Sequence, residues 1–579
     1  MSEQLNNEQV NTSSTSEQGS SAAQTRHYED RRAGRGRNTS DGRRFDGERK
    51  SRDARKSDGG RSRNGGGNRR DFEHSGERDA VRRDSRRDSG RNSSGERGGR
   101  RDSHSNFDRR DNRFRDAKQR SSKRSDDKTP AQYFRSKVSP ARKAALEVCR
   151  LVRERDAFAQ DLISSRIDSS SMSREDRAFA TKLVLGVVSS KGTLDEIINR
   201  CLRSPDDIQD DVRDALRISV YEMYFLDKSP HAAVDEGVEL VRACAPRASG
   251  LANFALHRAL DQKAEFPFGN PKADLDAFAR QYAFPVWLAR RLVADLGLEA
   301  ACDFMEASNE PAPVFVAINA ARATDEEVVA ELERAHGDPL MCKEGCYKLS
   351  SGRVLQDGRI KHMISQGMLF VSDASSQEIA RLILPDAAPQ SFLEIGAGRG
   401  TKTLLIQQNA LRKYGAQIEN YLTLDSHAYK TELLTSRAQT YGIHITESVT
   451  GNAEKLDEVF GERTFDAIFI DAPCSGLGTL RRHPEIRWRV SEDTIETMAK
   501  TGLSMLKSAA AHVKVGGTLA YATCTVTHAE NNAVVMAFLE SEEGKAFSLC
   551  PINGKGCFAS RLQSGGADAH FAVKMVRTQ

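Results

Sequence analysis

The sequence is poor in the features that would make it a secreted, membrane-bound or zinc-stapled protein. Its ten cysteines include no C-x-x-C pair, and the closest two, Cys342 and Cys346, have no second pair nearby. Scattered thiols of this kind argue for a reducing compartment and make a poor metal site. No apolar run reaches the ~18 residues needed to span a bilayer, and the polar start of the chain offers no h-region for a secretory signal. A cytoplasmic protein without membrane partner or metal is expected. Residues 1–128 are almost without aliphatic side chains and consist mainly of Ser, Asn, Gln, Gly, Arg and Asp. Such a segment cannot bury enough apolar surface to offset its ordering entropy, which predicts a disordered tail.

What is present is unevenly spread. Net charge is +5, and the excess of Arg and Lys lies in residues 26–128, in runs such as Arg82-Arg83-Asp84-Ser85-Arg86-Arg87-Asp88. Counterion release would draw such a tail to phosphate, so RNA contact is one reading. The interleaved Asp residues leave a solubilising tail as the other. The full 579 residues exceed one ordinary domain.

Residues 138–262 carry helical periodicity throughout. Ser139 and Pro140 fit an N-cap and first turn, and Ala145, Leu146, Cys149 and Val152 follow as one stripe. A helix from Ser173 carries Ala180, Leu183, Val184 and Val187, and a further one carries Leu194, Ile197, Ile198 and Cys201. Leu216–Leu226 reads as the most buried helix, and Pro230 interrupts ahead of another from Ala232 to Cys244. The prediction is an all-α bundle. In residues 270–385, Phe284-Pro285-Val286-Trp287-Leu288 opens a helix, Pro313–Asn319 is a strand and Glu326–Ala335 a helix, giving a small α/β subdomain. Residues 386–579 alternate strands and helices, which predicts a Rossmann-like, doubly wound α/β domain. Its strands are placed at Phe392–Ile395, Tyr421–Leu424, Ile443–Val449, Ala467–Ile470 and Thr518–Ala522.

The chemistry gathers at the ends of these strands, where open α/β sheets bind ligands. Glu394-Ile395-Gly396-Ala397-Gly398-Arg399-Gly400-Thr401-Lys402 leaves the first strand and opens a helix. Glycines let the backbone approach a ligand closely, and the helix start offers free N–H groups. Asp425 ends the next strand, placed to accept hydrogen bonds from ribose hydroxyls, although a surface carboxylate or cap is the plainer role. No G-K-S/T phosphate cradle is present, so a nucleoside without phosphates fits better, and S-adenosylmethionine is such a ligand. The stretch Phe465–Arg489 delivers Asp471, Pro473 and Cys474 from a buried strand. The basic run Arg481, Arg482, His483, Arg487, Trp488 and Arg489 follows, suggesting a nucleobase site with a cationic rim. A second thiol, Cys524, ends the last predicted strand. Either cysteine alone reads as packing. Together with Asp471 they can supply what methylation of cytosine carbon 5 needs: a thiolate for carbon 6, an acid at ring nitrogen 3 and help in elimination.

Two stretches carry a family resemblance. Arg217–Val241 and Gly250–Arg258 are similar to a NusB-type RNA-binding domain. The motifs D-A-P-C-S-G-L-G-T-L-R-R-H-P-E-I-R-W and Y-A-T-C-T resemble the Sun/RsmB-type RNA cytosine-5 methyltransferases, with the NusB-like domain in front matching the branch that acts on 16S rRNA. The resemblance spans about residues 138–579. It implies Cys524 as nucleophile, Cys474 in product release, and Lys402 beside the catalytic acid Asp471. It also implies S-adenosylmethionine held by Glu394, Gly396 to Lys402, Asp425, Asn452 and Asp471, with small-subunit rRNA as partner of a monomer. The chain departs from the family at Arg399 and Thr401 in the loop, at Asn452 where an acid meets the adenine, and at Lys430, His528 and Ala317. A DNA cytosine-5 methyltransferase, with Cys474 as nucleophile, and an inert RNA-binding assembly factor remain the rival readings.

Overall fold

The computed structural model describes residues 138–168 and 170–579; the expected tail, residues 1–128, lies outside them. The first helix, Pro140–Arg155, is capped as expected, with Ser139 Oγ accepting from the Arg142 N–H at 3.3 Å. The two stripes expected as separate helices belong to one, Arg174–Cys201. Glycines inside it mark close approaches rather than an end. A Cβ on Gly186 would lie 1.9 Å from the Tyr221 ring, and one on Gly192 2.2 Å from the Trp488 ring. The next helix, Asp210–Tyr224, starts ahead of the apolar stripe because Asp210 and Asp211 fill its first turn. Acids there favour the helix electrostatically and leave no hydrophobic period to read. The helix Pro230–Cys244 begins on its proline, in the one turn where the missing N–H costs nothing. Buried ion pairs tie the bundle. Arg142 meets both oxygens of Glu222 at 2.7 and 2.6 Å, and Arg217 bridges Asp195 and Asp214 at 2.7 and 2.6 Å.

Three helices, Leu275–Gln281, Val286–Leu296 and Leu298–Ala307, lead to a four-stranded antiparallel sheet. Its strands are β1 (Val314–Ile318), β2 (Leu340–Lys343), β3 (Cys346–Leu349) and β4 (Leu369–Val371), in the order β2-β3-β1-β4. The helix Asp325–Arg334 lies between β1 and β2, within a residue of the expected span. Ala317 is buried in β1, opposite Cys346 and Phe370.

The large sheet comprises β5 (Ser391–Ile395), β6 (Asn420–Asp425), β7 (Glu447–Thr450), β8 (Phe465–Asp471), β9 (Val513–Thr523), β10 (Phe547–Cys550), β11 (Phe558–Ala559) and β12 (Phe571–Arg577). Its order is β10-β12-β9-β8-β5-β6-β7, with β11 on β12. The five strands from β9 to β7 run parallel, as the alternation predicts. The antiparallel flank of β10, β11 and β12 has no counterpart in that prediction. The third expected strand starts later than Ile443. That residue instead closes the helix Ala428–Tyr441, its N–H bonding the Ala438 carbonyl past the left-handed Gly442. Its apolar side chain packs into the core from a turn. Among the described residues, no helix is long and apolar enough to cross a membrane.

Candidate active site

β5 pairs with β8 on one side and β6 on the other, so the crossovers part at its carboxyl end. That divergence opens the crevice in which such sheets hold ligands. The glycine loop lies there. The N–H groups of Gly396 and Ala397 donate to the Leu424 carbonyl at 2.8 and 3.2 Å, tying the loop to β6. Gly396 has φ 78°, and a Cβ on it would stand 2.3 Å from the Asp471 carbonyl oxygen, so only glycine fits between the two strand ends. Asp425 is buried and fixed: Oδ2 accepts from the Gly398 N–H at 3.0 Å, Oδ1 from the His427 N–H at 3.0 Å, and Lys430 Nζ lies 3.4 Å away. Asn452 Oδ1 closes a turn with the Glu454 N–H at 3.0 Å. Arg399 turns its side chain outward, and its carbonyl accepts from Arg437 at 2.6 Å. Gly400, also with positive φ, leads into the helix Thr401–Tyr414 that carries Lys402.

Glu394 stands apart from this crevice. It is fully buried under the loop, accepting from Thr403 at 2.6 Å and Tyr421 at 2.9 Å, with Oε1 unpartnered. Burial pushes its carboxyl up to about 7.

Lys402 Nζ donates to Asp471 Oδ2 at 2.7 Å. Burial pulls the ammonium down, but the charge of Asp471 and this bond more than offset it, so the lysine stays protonated. Cys474 and Cys524, both half-buried, bring their sulfurs to 3.2 Å, and the Cys524 N–H donates to Cys474 Sγ at 3.3 Å. The hydrogen bond from Cys474 holds the Cys524 thiol below its ordinary value. Burial and Asp471 oppose this, and Lys402 reinforces it. Cys474 moves well up, through that same bond and its own burial. Cys524 is therefore the thiol of the pair that ionises more readily. The parallel register that sets Asp471 opposite Ala522 brings these two loops level.

The expected cationic rim is corrected. Arg487 is fully buried, stacked 4.2 Å over Phe284 and bonded to Asn309 Oδ1 at 2.9 Å, and burial pulls it down to about 9. Arg481 is buried against the carbonyls of Ala307 and Gly566, and Arg482 is held by Asp568 and Asp373 at 2.7 and 3.0 Å. The remaining members grip the helical bundle. Trp488 Nε1 donates to the Ser189 carbonyl at 2.8 Å, Arg489 to that of Ala157 at 2.9 Å, and His483 meets the edge of Phe158. Glu485 accepts from the Ala159 N–H at 3.0 Å. The run after the Pro-Cys motif is thus an internal clasp. Trp488→Ala is expected to lower the unfolding free energy by roughly 2 kcal/mol through lost packing, read as a lower urea midpoint. An unchanged midpoint would show that the clasp carries no stability.

Sequence reasoning missed Glu530, which bonds to both residues that follow the cysteines, Ser475 and Thr525. It lies six positions past Cys524, in a loop whose threonines all turn to it, and that crowding of hydroxyls was the available signal.

A Rossmann-like sheet with a glycine loop at its switch point and a fixed carboxylate on the next strand defines an S-adenosylmethionine-type methyltransferase domain. The donors present fit that cofactor, since the loop's lysine is already engaged by Asp471 rather than free for a phosphate. The family model for 16S rRNA methyltransferase RsmB/F matches residues 381–567, that for the NusB family 139–261, and that for the RsmF/B-like ferredoxin-like domain 284–341. A probable ribosomal RNA small subunit methyltransferase B of Synechocystis is 30% identical over 415 residues, 70% of this chain and 90% of that protein. The Bacillus subtilis counterpart is 29% identical over 412 residues, 70% and 89% of the two chains. The crystal structure of PH0851 shares the fold, with a TM-score of 0.63 at 23% identity, covering 76% of this chain and 100% of that one. The chain belongs to the RsmB/F family of 16S rRNA methyltransferases, and its methyl donor is S-adenosyl-L-methionine.

Proposed function

We propose that the protein methylates carbon 5 of a cytosine in small-subunit ribosomal RNA, in the cytoplasm and as a monomer, through a covalent bond from Cys524 to the ring. The observation that carries this reading is the thiol pair, 3.2 Å apart, beside the Asp471–Lys402 pair. Gly396 to Lys402, Asp425, Asn452 and Asp471 would hold S-adenosylmethionine, which when bound supplies a methyl made electrophilic by its sulfonium. The Cys524 thiolate adds to carbon 6, and the displaced electron pair moves toward ring nitrogen 3, which takes a proton from the Lys402 ammonium relayed by the Asp471 carboxylate. Lys402 holds the Asp471 carboxyl in place for this. Carbon 5, now electron-rich, takes the methyl. Cys474 then gives its proton to the departing Cys524 sulfur and takes the one that carbon 5 loses, nitrogen 3 returns its proton through Asp471 to Lys402, and the ring double bond re-forms. Cys474, which holds its proton more tightly beside that sulfur, is assigned to the release. A mechanism with Cys474 as nucleophile, as in a DNA cytosine-5 methyltransferase, runs against the direction in which both thiols are pushed.

Bisulfite sequencing of small-subunit rRNA, from cells with and without the protein, tests the reading. One protected cytosine should become convertible when the protein is absent. An unchanged pattern, together with no heat of S-adenosylmethionine binding, would favour an inert assembly factor.

A further inference from the structure

Glu530 is 1% exposed, yet among the described residues it lies in no ion pair. Its carboxylate gathers donors from both catalytic loops. Oε1 accepts from the Ser475 N–H at 2.5 Å. Oε2 accepts from the hydroxyls of Ser475 at 2.7 Å, Thr527 at 2.6 Å and Thr525 at 3.4 Å. The Ser475 and Thr525 hydroxyls also meet each other at 2.7 Å. The Glu530 carbonyl accepts from the Tyr521 hydroxyl at 2.9 Å, which fixes the carboxylate's own backbone against β9. Ser475 follows Cys474 and Thr525 follows Cys524, so one buried acid joins the two turns that hold the sulfurs. Burying a carboxylate is costly unless its oxygens are filled with donors. Here they are, and the donors come from Ser475 and Thr525, next to the thiols, and from Thr527 in the Cys524 loop.

We propose that Glu530 is a positioning residue for the methyl transfer: it staples the Cys474 turn to the Cys524 turn and so sets the sulfur–sulfur distance on which thiol activation depends. The assignment rests on the two-cysteine reading above. The arrangement carries an electrostatic cost. The groups facing Cys524 are Cys474, Asp471, Lys402 and Glu530, and those facing Glu530 are the two thiols, Tyr521 and Arg291. The bond from Cys474 lowers the Cys524 thiol, while the charge on Glu530 works in the other direction. A purely electrostatic design would leave a neutral group at 530, so the carboxylate is there for its four acceptor contacts.

The test uses the full chain and a thiol-bridging reagent, dibromobimane, with the bridge between the Cys474 and Cys524 peptides quantified by mass spectrometry. This readout is independent of methyl transfer. Wild-type protein should bridge efficiently, and Glu530→Ala should bridge at least tenfold less and lose methylation with S-adenosylmethionine binding retained. Glu530→Gln keeps an acceptor for the Ser475 N–H and offers the hydroxyls an amide N–H that they can accept, without the charge. It should bridge like wild type, and iodoacetamide should alkylate its Cys524 with a midpoint moved to lower pH. Wild-type bridging in Glu530→Ala, or an unmoved midpoint in Glu530→Gln, would overturn the assignment. If Cys524→Ala stayed active while these results held, the two-cysteine reading would fail and the staple would stand as a structural feature alone.

Discussion

Cys524→Ala is expected to abolish methyl transfer, lowering the single-turnover rate by at least about 10,000-fold, because no covalent activation of the ring is possible without the sulfur. Carbon 5 of cytosine is too weak a nucleophile to attack a sulfonium methyl unaided. The structure provides the means of activation: a thiol held low by a hydrogen bond from Cys474, with the Lys402 ammonium reinforcing the effect. The substitution removes only a half-buried sulfur at a strand end and leaves Gly396, Asp425 and the Lys402–Asp471 pair untouched. Affinity for S-adenosylmethionine, measured by calorimetry, should therefore stay within about twofold of wild type, since no cofactor contact is lost. A variant with near-normal turnover would refute the covalent mechanism outright.

Cys474→Ala should fail differently. The adduct should form but not resolve, so that protein migrates joined to RNA under denaturing electrophoresis while turnover falls by roughly 100- to 1,000-fold, the usual scale for a lost proton-transfer group. The pH dependence gives a second reading. The hydrogen bond from Cys474 is the influence that lowers Cys524, so without it the thiolate forms only at higher pH. The midpoint of adduct formation should accordingly move upward. A midpoint that stayed put, or no accumulated adduct, would remove Cys474 from the release step.

Much of this arrangement was legible in the sequence because strand ends announce themselves. The short apolar runs before Gly396, Asp425, Asp471 and Cys524 all proved to be strands, and their carboxyl ends lie on one rim. The meeting of the two thiols was not legible, because it depends on β8 lying beside β9 in a register that sets Asp471 against Ala522. The basic run misled for a related reason. Arg481 and Arg487 bond to backbone carbonyls of distant segments, Ala307, Gly566, Ala283 and Ser308, and a carbonyl leaves no trace in residue type. Ile443 misled because an apolar residue that staples a helix end looks like the start of a strand. The two stripes that looked like separate helices belong to one, in which Gly186 and Gly192 each make room for an aromatic ring from elsewhere.

The most direct measurement traps the protein on an rRNA fragment containing 5-fluorocytosine, where elimination is blocked, and locates the modified residue by digestion and mass spectrometry. The nucleotide should be found bonded to the sulfur of Cys524. Finding it on Cys474, or finding no protein–RNA bond in the presence of S-adenosylmethionine, would contradict the account.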